Sequence, residues 1–330
     1  MSLDLRAQRL HHWLQQHWQQ PIAPPVAIFA DASFRRYFRY QRNGINEIAM
    51  DAPPAQEDCR PFVALTQALM SLSLPVPQLL ASNLDEGFLC LSDLGDEHLY
   101  QRLIGSHPLP WYRQALAIQR QFCQLQGSEL GPLPLYDAPF LQQELQLMPQ
   151  WYAEQHLAVS VPSELWQPLV LLLVENALVQ PQVAVHRDFH SRNLMVVDEQ
   201  LALLDYQGAR QGPLCYDLVS LLRDCYLTLD ETHLTALLTE HYHQLIDAQL
   251  VPCNVPFSTF QRWFDLIGLQ RHIKVLGIFA RLFHRDGKAA YLADLPRVRE
   301  YVINIGLRYP ETTPFAHWLQ AHPLPTEPSQ

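Results

Sequence analysis

The eight residues from His186 to Asn193, HRDFHSRN, hold an aspartate, an asparagine five positions later, two histidines and two arginines. A free carboxylate can accept a hydroxyl proton, and an amide oxygen beside a second carboxylate suits a hard cation such as Mg²⁺, which prefers oxygen ligands. The second carboxylate is supplied a little further on. The aliphatic runs Leu194–Val197 and Leu201–Leu204 flank Asp198-Glu199-Gln200, which predicts a hairpin with Val197 near Leu201. Counting outward sets Met195 opposite Leu203 and Asn193 opposite Asp205, so Asp188, Asn193 and Asp205 are expected to converge. His186 and His190 stand four apart, but the run has no helical pattern and lacks the glutamate of H-E-x-x-H. His186 is therefore read as structural rather than as a zinc ligand.

Around this loop the sequence changes character once. Val26–Phe29, Arg36–Arg42 and Glu47–Met50 read as strands, with Asn43-Gly44 as the turn between the second and third. Phe62, Leu65, Leu69 and Leu72 recur at helical spacing, and Gln78–Ala81 and Gly87–Leu91 follow as strands. From about Asp96 helical patterns dominate: Trp111–Gln126, Phe140–Gln155, Ser163–Gln180, Tyr216–Leu227, Glu231–Asp247 and Phe257–His284. The expected class is α+β in two lobes, a β-rich lobe over residues 1–92 and a larger, mainly helical one over 93–330. An amphipathic helix with Leu3, Leu10 and Leu14 on its apolar side opens the chain, and the Pro-rich stretch after Pro310 reads as a loosely packed terminus.

Composition narrows the partners. A formal net charge of -10 argues against a nucleic acid, whose phosphates need neutralising, so any anionic ligand requires a local basic site. The longest aliphatic stretch, Leu169–Val174, is far short of the roughly 20 residues that span a bilayer. Six scattered cysteines without a C-x-x-C pair point to reduced thiols in a cytoplasmic protein, expected to be a monomer.

The loop resembles the kinase catalytic loop H-R-D-x-x-x-x-N, with Asp205-Tyr206-Gln207-Gly208 standing where D-F-G follows. The resemblance implies a bilobal protein-kinase-like fold, with Asp188 orienting and deprotonating an acceptor hydroxyl while Asn193 and Asp205 hold Mg²⁺ against the phosphates of ATP. His190 within the loop and the lack of Ala-Pro-Glu after Gly208 are similar to the aminoglycoside phosphotransferase branch of small-molecule kinases. There, the aspartate corresponding to Asp217 braces the catalytic loop. Five segments in order narrow the likeness: Asp31–Arg39, Met50–Pro54, Leu91–Gly95, HRDFHSRN and Arg285–Lys288. Together they resemble the anomeric amino-sugar kinases of bacterial cell-wall recycling, which phosphorylate C1 of N-acetylmuramate and N-acetylglucosamine with ATP.

That resemblance implies that Ser33, Phe34, Arg35 and Arg36 line the phosphates and that Leu91 and Asp93 belong to the adenine-binding hinge. His190 and Arg192 would hold the amino sugar, with Glu144 as a hydroxyl acceptor and Trp151 as a stacking wall. A small acceptor of another kind, such as choline, homoserine or an aminoglycoside, is the runner-up. One departure matters. The strand-three lysine of kinases is absent, since the only lysines are Lys274 and Lys288, and Ala49 or Met50 occupies its strand. Either Arg35, Arg36 or Arg39 replaces it, because a guanidinium grips phosphate oxygens bidentately, or the chain is a pseudokinase that binds nucleotide without turnover.

Overall fold

A computed structural model of the chain describes residues 4–30, 34–105 and 107–325. In chain order it runs α1 (Leu5–Trp18), β1 (Val26–Ala30), β2 (Arg36–Arg42), β3 (Ile45–Asp51), α2 (Arg60–Ser71), β4 (Leu79–Asn83) and β5 (Phe88–Ser92). There follow α3 (Leu99–Leu103), α4 (Leu109–Phe122), the short strands β6 (Gly127–Ser128) and β7 (Gly131–Pro132), α5 (Ala138–Leu145), a π-helix (Met148–His156) and α6 (Ser163–Val179). The remainder is β8 (Gln182–Val185), β9 (Leu194–Val197), β10 (Gln200–Leu203), β11 (Arg210–Pro213), α7 (Cys215–Leu222), α8 (Glu231–Asp247), α9 (Phe257–His284), α10 (Leu295–Gly306) and α11 (Thr313–Ala321).

Two compact units result. The first comprises the described residues up to His98 together with 125–132 and 194–207. Its sheet has the antiparallel order β1-β2-β3-β5-β4. Asn43 and Gly44, both at positive φ, close β2 onto β3 in the turn that the strand twist favours. Asp4 caps α1 by accepting the Ala7 N–H, and Leu10 and Leu14 are buried with Phe38, Tyr40, Ala49 and Phe88. Leu3, read as part of that apolar side, lies outside the described residues. Arg6 and Arg36 both donate to the buried carboxylate of Asp51, which ties the helix to the end of β3.

The hairpin of β9 and β10 departs from expectation by one residue. Gln200 pairs with Val197 and Leu203 with Leu194, because Asp198 and Glu199, at φ 49° and 59°, form a two-residue turn. A pairing of Asn193 with Asp205 would need a three-residue loop. With no glycine in the turn, its residue types do not announce two consecutive left-handed residues.

In the second unit, α9 is buried along much of its length and packs against the π-helix, α7 and α10. The single helix expected over Phe140–Gln155 is two segments, because Pro149 lacks the N–H that would continue the α5 hydrogen-bond ladder; the chain resumes as a π-helix. Within the stretch expected to be loose after Pro310, the described residues form α11, which buries Phe315, Ala316 and Leu319. Gly277 sets the approach of α9 to the π-helix. A Cβ there would lie 2.3 Å from the Leu147 carbonyl carbon and 2.6 Å from the Met148 nitrogen. Gly277→Ala is therefore expected to lower the unfolding free energy by about 2–3 kcal/mol, the cost of overpacking a rigid backbone contact. A thermal melt unchanged from wild type would refute that close approach.

No helix among the described residues is long and apolar enough to cross a membrane. All six cysteines are free, and only Cys253 is exposed.

Candidate active site

The loop from His186 to Asn193 leaves β8 and is pinned at both ends. Asp217, fully buried in the first turn of α7, accepts the backbone N–H of His186 at 2.6 Å and of Arg187 at 3.0 Å. These bonds are the brace that the resemblance implied for it. Asp224 takes the other end, accepting the Ser191 N–H at 2.9 Å and its hydroxyl at 2.6 Å. Between them the Asp188 carbonyl accepts from His190 N at 3.0 Å and from Asn193 Nδ2 at 3.0 Å. His186 is buried, its ring against Phe122 and Phe189.

Two chemical consequences follow. Among the described residues nothing hydrogen-bonds the Asp188 carboxylate, so its oxygens remain uncommitted. Burial alone would raise its pKa, but the charges of Lys274, Arg271 and Arg187 outweigh burial and hold it below the usual aspartate value. It is a carboxylate at neutral pH and can accept a proton. Because Asn193 spends its amide N–H on the loop, its amide oxygen is turned away from that bond, the end a hard cation would take.

The second unit also holds the residues expected to meet a sugar. Burial pushes His190 down to about 4, so its ring is neutral; it meets Tyr226 edge-on at 5.2 Å. Arg192 is exposed, its guanidinium 3.7 Å over the Tyr226 ring. Trp151 is half-buried on the π-helix. Glu144 departs from expectation. It is 7% exposed, and its carboxylate is taken by Arg187 at 2.6 Å, Lys274 at 2.8 Å and the Tyr136 hydroxyl. A carboxylate so engaged is not the open hydroxyl acceptor the sequence suggested, and none of these long-range partners was visible in helical spacing. Arg285 pairs with its neighbour Asp286.

In the first unit the candidate arginines divide. Arg36 is held by Asp51 and Asp4, and Arg39 by Asp93 at 2.6 Å and Asp96 at 2.8 Å. Both are structural pins rather than open phosphate ligands. Arg35 is buried and paired with Glu57, just ahead of α2. That glutamate was not foreseen, because it lies in a turn rather than on the helix face. Phe34 is 60% exposed, whereas Ser33 lies outside the described residues. Leu91 is buried in β5 between β3 and β4, and Asp93 also accepts the Gly95 N–H at 2.9 Å. Asp205 is exposed at φ 60°, with one oxygen 2.5 Å from the Gln207 amide; the next residue, Tyr206, stacks on Phe62 and hydrogen-bonds Thr66 at 2.8 Å. These contacts fasten the segment around Asp205 to α2.

Residues 25–248 match the phosphotransferase enzyme family. The N-acetylmuramate/N-acetylglucosamine kinase of Pseudomonas aeruginosa is 39% identical, covering 99% of this chain and 100% of its own length. The proteins of the same name from Pseudomonas putida and Neisseria meningitidis are 38% and 37% identical, each over 93% of this chain and over 94% and 92% of their own lengths. Among solved structures, a Plasmodium vivax ethanolamine kinase superposes with TM-score 0.64 at 8% identity, covering 90% of this chain and 87% of that one. An ADP-bound aminoglycoside phosphotransferase superposes at 0.60 and 11% identity, covering 90% and 97%. These likenesses give the fold, a protein-kinase-like one with a small antiparallel sheet and a larger helical part. The braced Asp188 loop and the match over two thirds of the sequence agree, and the chain belongs to the phosphotransferase enzyme family.

Proposed function

We propose that this protein uses Mg-ATP to phosphorylate the anomeric hydroxyl of N-acetylmuramate and N-acetylglucosamine in the cytoplasm, serving peptidoglycan recycling as a monomer. The observation that carries the reading is the uncommitted carboxylate of Asp188 on a loop braced by Asp217 and Asp224, in a chain similar over nearly its whole length to kinases named for these two sugars. Asp188 takes the proton of the C1 hydroxyl as its oxygen bonds the γ-phosphorus and the bond from that phosphorus to the β-phosphate oxygen breaks, releasing ADP. Asn193 and Asp205 are the residues that would hold Mg²⁺, which would supply positive charge against that developing on the phosphate during transfer. Two protein ligands suffice for an ion that takes its remaining oxygens from phosphates and water. Ser33, Phe34, Leu91 and Asp93 belong to the nucleotide side in this reading. His190, Arg192 and Trp151 belong to the sugar side, where a neutral imidazole, a cation and a ring offer hydrogen bonds, carboxylate pairing and stacking.

Arg35 stands in for the missing lysine, with Glu57 in the role of its glutamate partner. The support is the pairing itself: Arg36 is held by Asp51 and Asp4 and Arg39 by Asp93 and Asp96, whereas Arg35 pairs with a glutamate just ahead of α2, the kind of cation–glutamate pair that kinases set beside the phosphates. Arg35→Met should raise the KM for ATP and lower kcat/KM about tenfold, roughly one lost charge-assisted phosphate contact, and Arg35→Lys should recover part of it. Unchanged ATP kinetics in Arg35→Met would end this assignment.

The function is tested by incubating the protein with Mg-ATP and N-acetylmuramate, N-acetylglucosamine, choline or kanamycin in turn and locating new phosphate by ³¹P NMR. Anomeric phosphate on either amino sugar is the expected result. Phosphate on choline or kanamycin alone would reassign the acceptor, and no turnover with any would favour a pseudokinase.

A further inference from the structure

Among the described residues the Asp188 carboxylate has no hydrogen-bond partner of its own, so its position depends on the residues beside it. Arg187 carries that burden from the N-terminal side, and does so at φ 77°, a left-handed conformation that is strained for a non-glycine residue. Such a backbone persists only if its surroundings fix it. The Arg187 N–H goes to Asp217, Nη1 donates to the Gly208 carbonyl at 3.3 Å, and Nη2 donates to Glu144 at 2.6 Å. The same Glu144 oxygen lies 2.8 Å from Lys274, whose ammonium also donates to the Tyr216 hydroxyl at 3.0 Å. One buried carboxylate thus gathers α5, α9, the catalytic loop and, through Arg187, the start of the segment at Gly208.

In kinases switched by phosphorylation, a new arginine–phosphate pair orders the segment that follows the metal aspartate. Here the arginine next to Asp188 has a permanent carboxylate instead. We infer that Glu144 is a positioning residue, which through Arg187 and Lys274 holds Asp188 in its working position without any covalent modification, and that it does not bind the sugar. Breaking the cluster by removing the carboxylate alone leaves two buried cations facing each other, which costs more than the pair contributed. The inference rests on the sugar-kinase reading, and the experiment below separates the two.

Steady-state kinetics with Mg-ATP and N-acetylglucosamine are compared for wild type, Glu144→Gln and Glu144→Asp. Glu144→Gln should lower kcat at least about tenfold while the KM values for ATP and sugar stay within about twofold, because the base is displaced but neither binding surface is touched. Glu144→Asp, which keeps the charge, should recover at least about threefold of that loss. A rise in sugar KM with kcat retained would make Glu144 a sugar contact and overturn the inference. A lowered melting temperature with wild-type kcat would make it merely structural and overturn it too. Where Glu144→Gln fails to fold, Glu144→Gln/Lys274→Met removes one cation with the carboxylate; its kcat should again be at least about tenfold low, and a wild-type kcat or a second failure to fold overturns the proposal. Absence of turnover by the wild type would sink both this inference and the functional reading, whereas an active wild type with an unaffected Glu144→Gln sinks this one alone.

Discussion

Asp188→Asn is expected to lower kcat by about 10²-fold or more, the usual worth of a positioned general base, with nucleotide affinity nearly unchanged. The amide has the shape of the carboxylate but cannot take the hydroxyl proton. The substitution should leave the loop intact, because the bonds that shape it use the Asp188 carbonyl, not its side chain: His190 N and Asn193 Nδ2 both donate to that carbonyl. Asp217 and Asp224 hold the two ends whatever stands at position 188. The loss should therefore fall on kcat alone. Coupled ADP release gives kcat and a nucleotide titration gives Kd for each protein. A variant within about threefold of wild-type kcat would show that the proton goes elsewhere. A variant that also loses nucleotide binding would show that the side chain shapes the loop after all.

What could be read in the sequence was what local rules govern. The helices Glu231–Asp247 and Phe257–His284 were bounded correctly, since Asp230 caps the first and Pro256 precedes the second. Asn43-Gly44 marked its turn, and the sheet meander followed. In the site, it was the resemblance of the loop and of the segment around Asp217 to the phosphotransferase branch that named the brace before any coordinates. Pairings between distant segments were not legible. β8 and β11 meet across 24 intervening residues; β8 is only four residues long, and β11 carries a glycine and a proline, which do not announce a strand. The hairpin register turned on two left-handed residues, Asp198 and Glu199, whose types permit but do not demand that conformation. Glu144 looked available because its three partners come from positions 136, 187 and 274. Arg36 and Arg39 looked equally open until their aspartates were located.

The protein should lose stability steeply as pH falls from 7 to 5, through the titration of buried histidines. His241 and His272 are fully buried and neutral. His241 bonds the Gln119 amide at 3.1 Å, and burial pushes it down to about 4; His272 lies 2.9 Å from the Arg223 carbonyl, and burial, with Arg271 close by, pushes it down to about 3. In the unfolded chain both rings titrate near 6.5. Between the folded and unfolded values the unfolded state binds more protons, so stability rises with pH there and falls as acid is added. Each ring contributes up to about 1.4 kcal/mol per pH unit below 6.5, so together they remove about 4 kcal/mol by pH 5. That is a large part of the roughly 5–15 kcal/mol that keeps a typical protein folded. The depressed carboxylates, Asp188 and Glu144, work in the same direction only at lower pH, where their unfolded counterparts begin to protonate. Urea unfolding followed by circular dichroism at pH 7, 6 and 5 measures the slope, and His241→Gln, whose amide can keep a hydrogen bond to Gln119, should flatten it. A denaturation midpoint that holds constant over that range would mean that the two rings are protonated, or reached by water, in the folded protein.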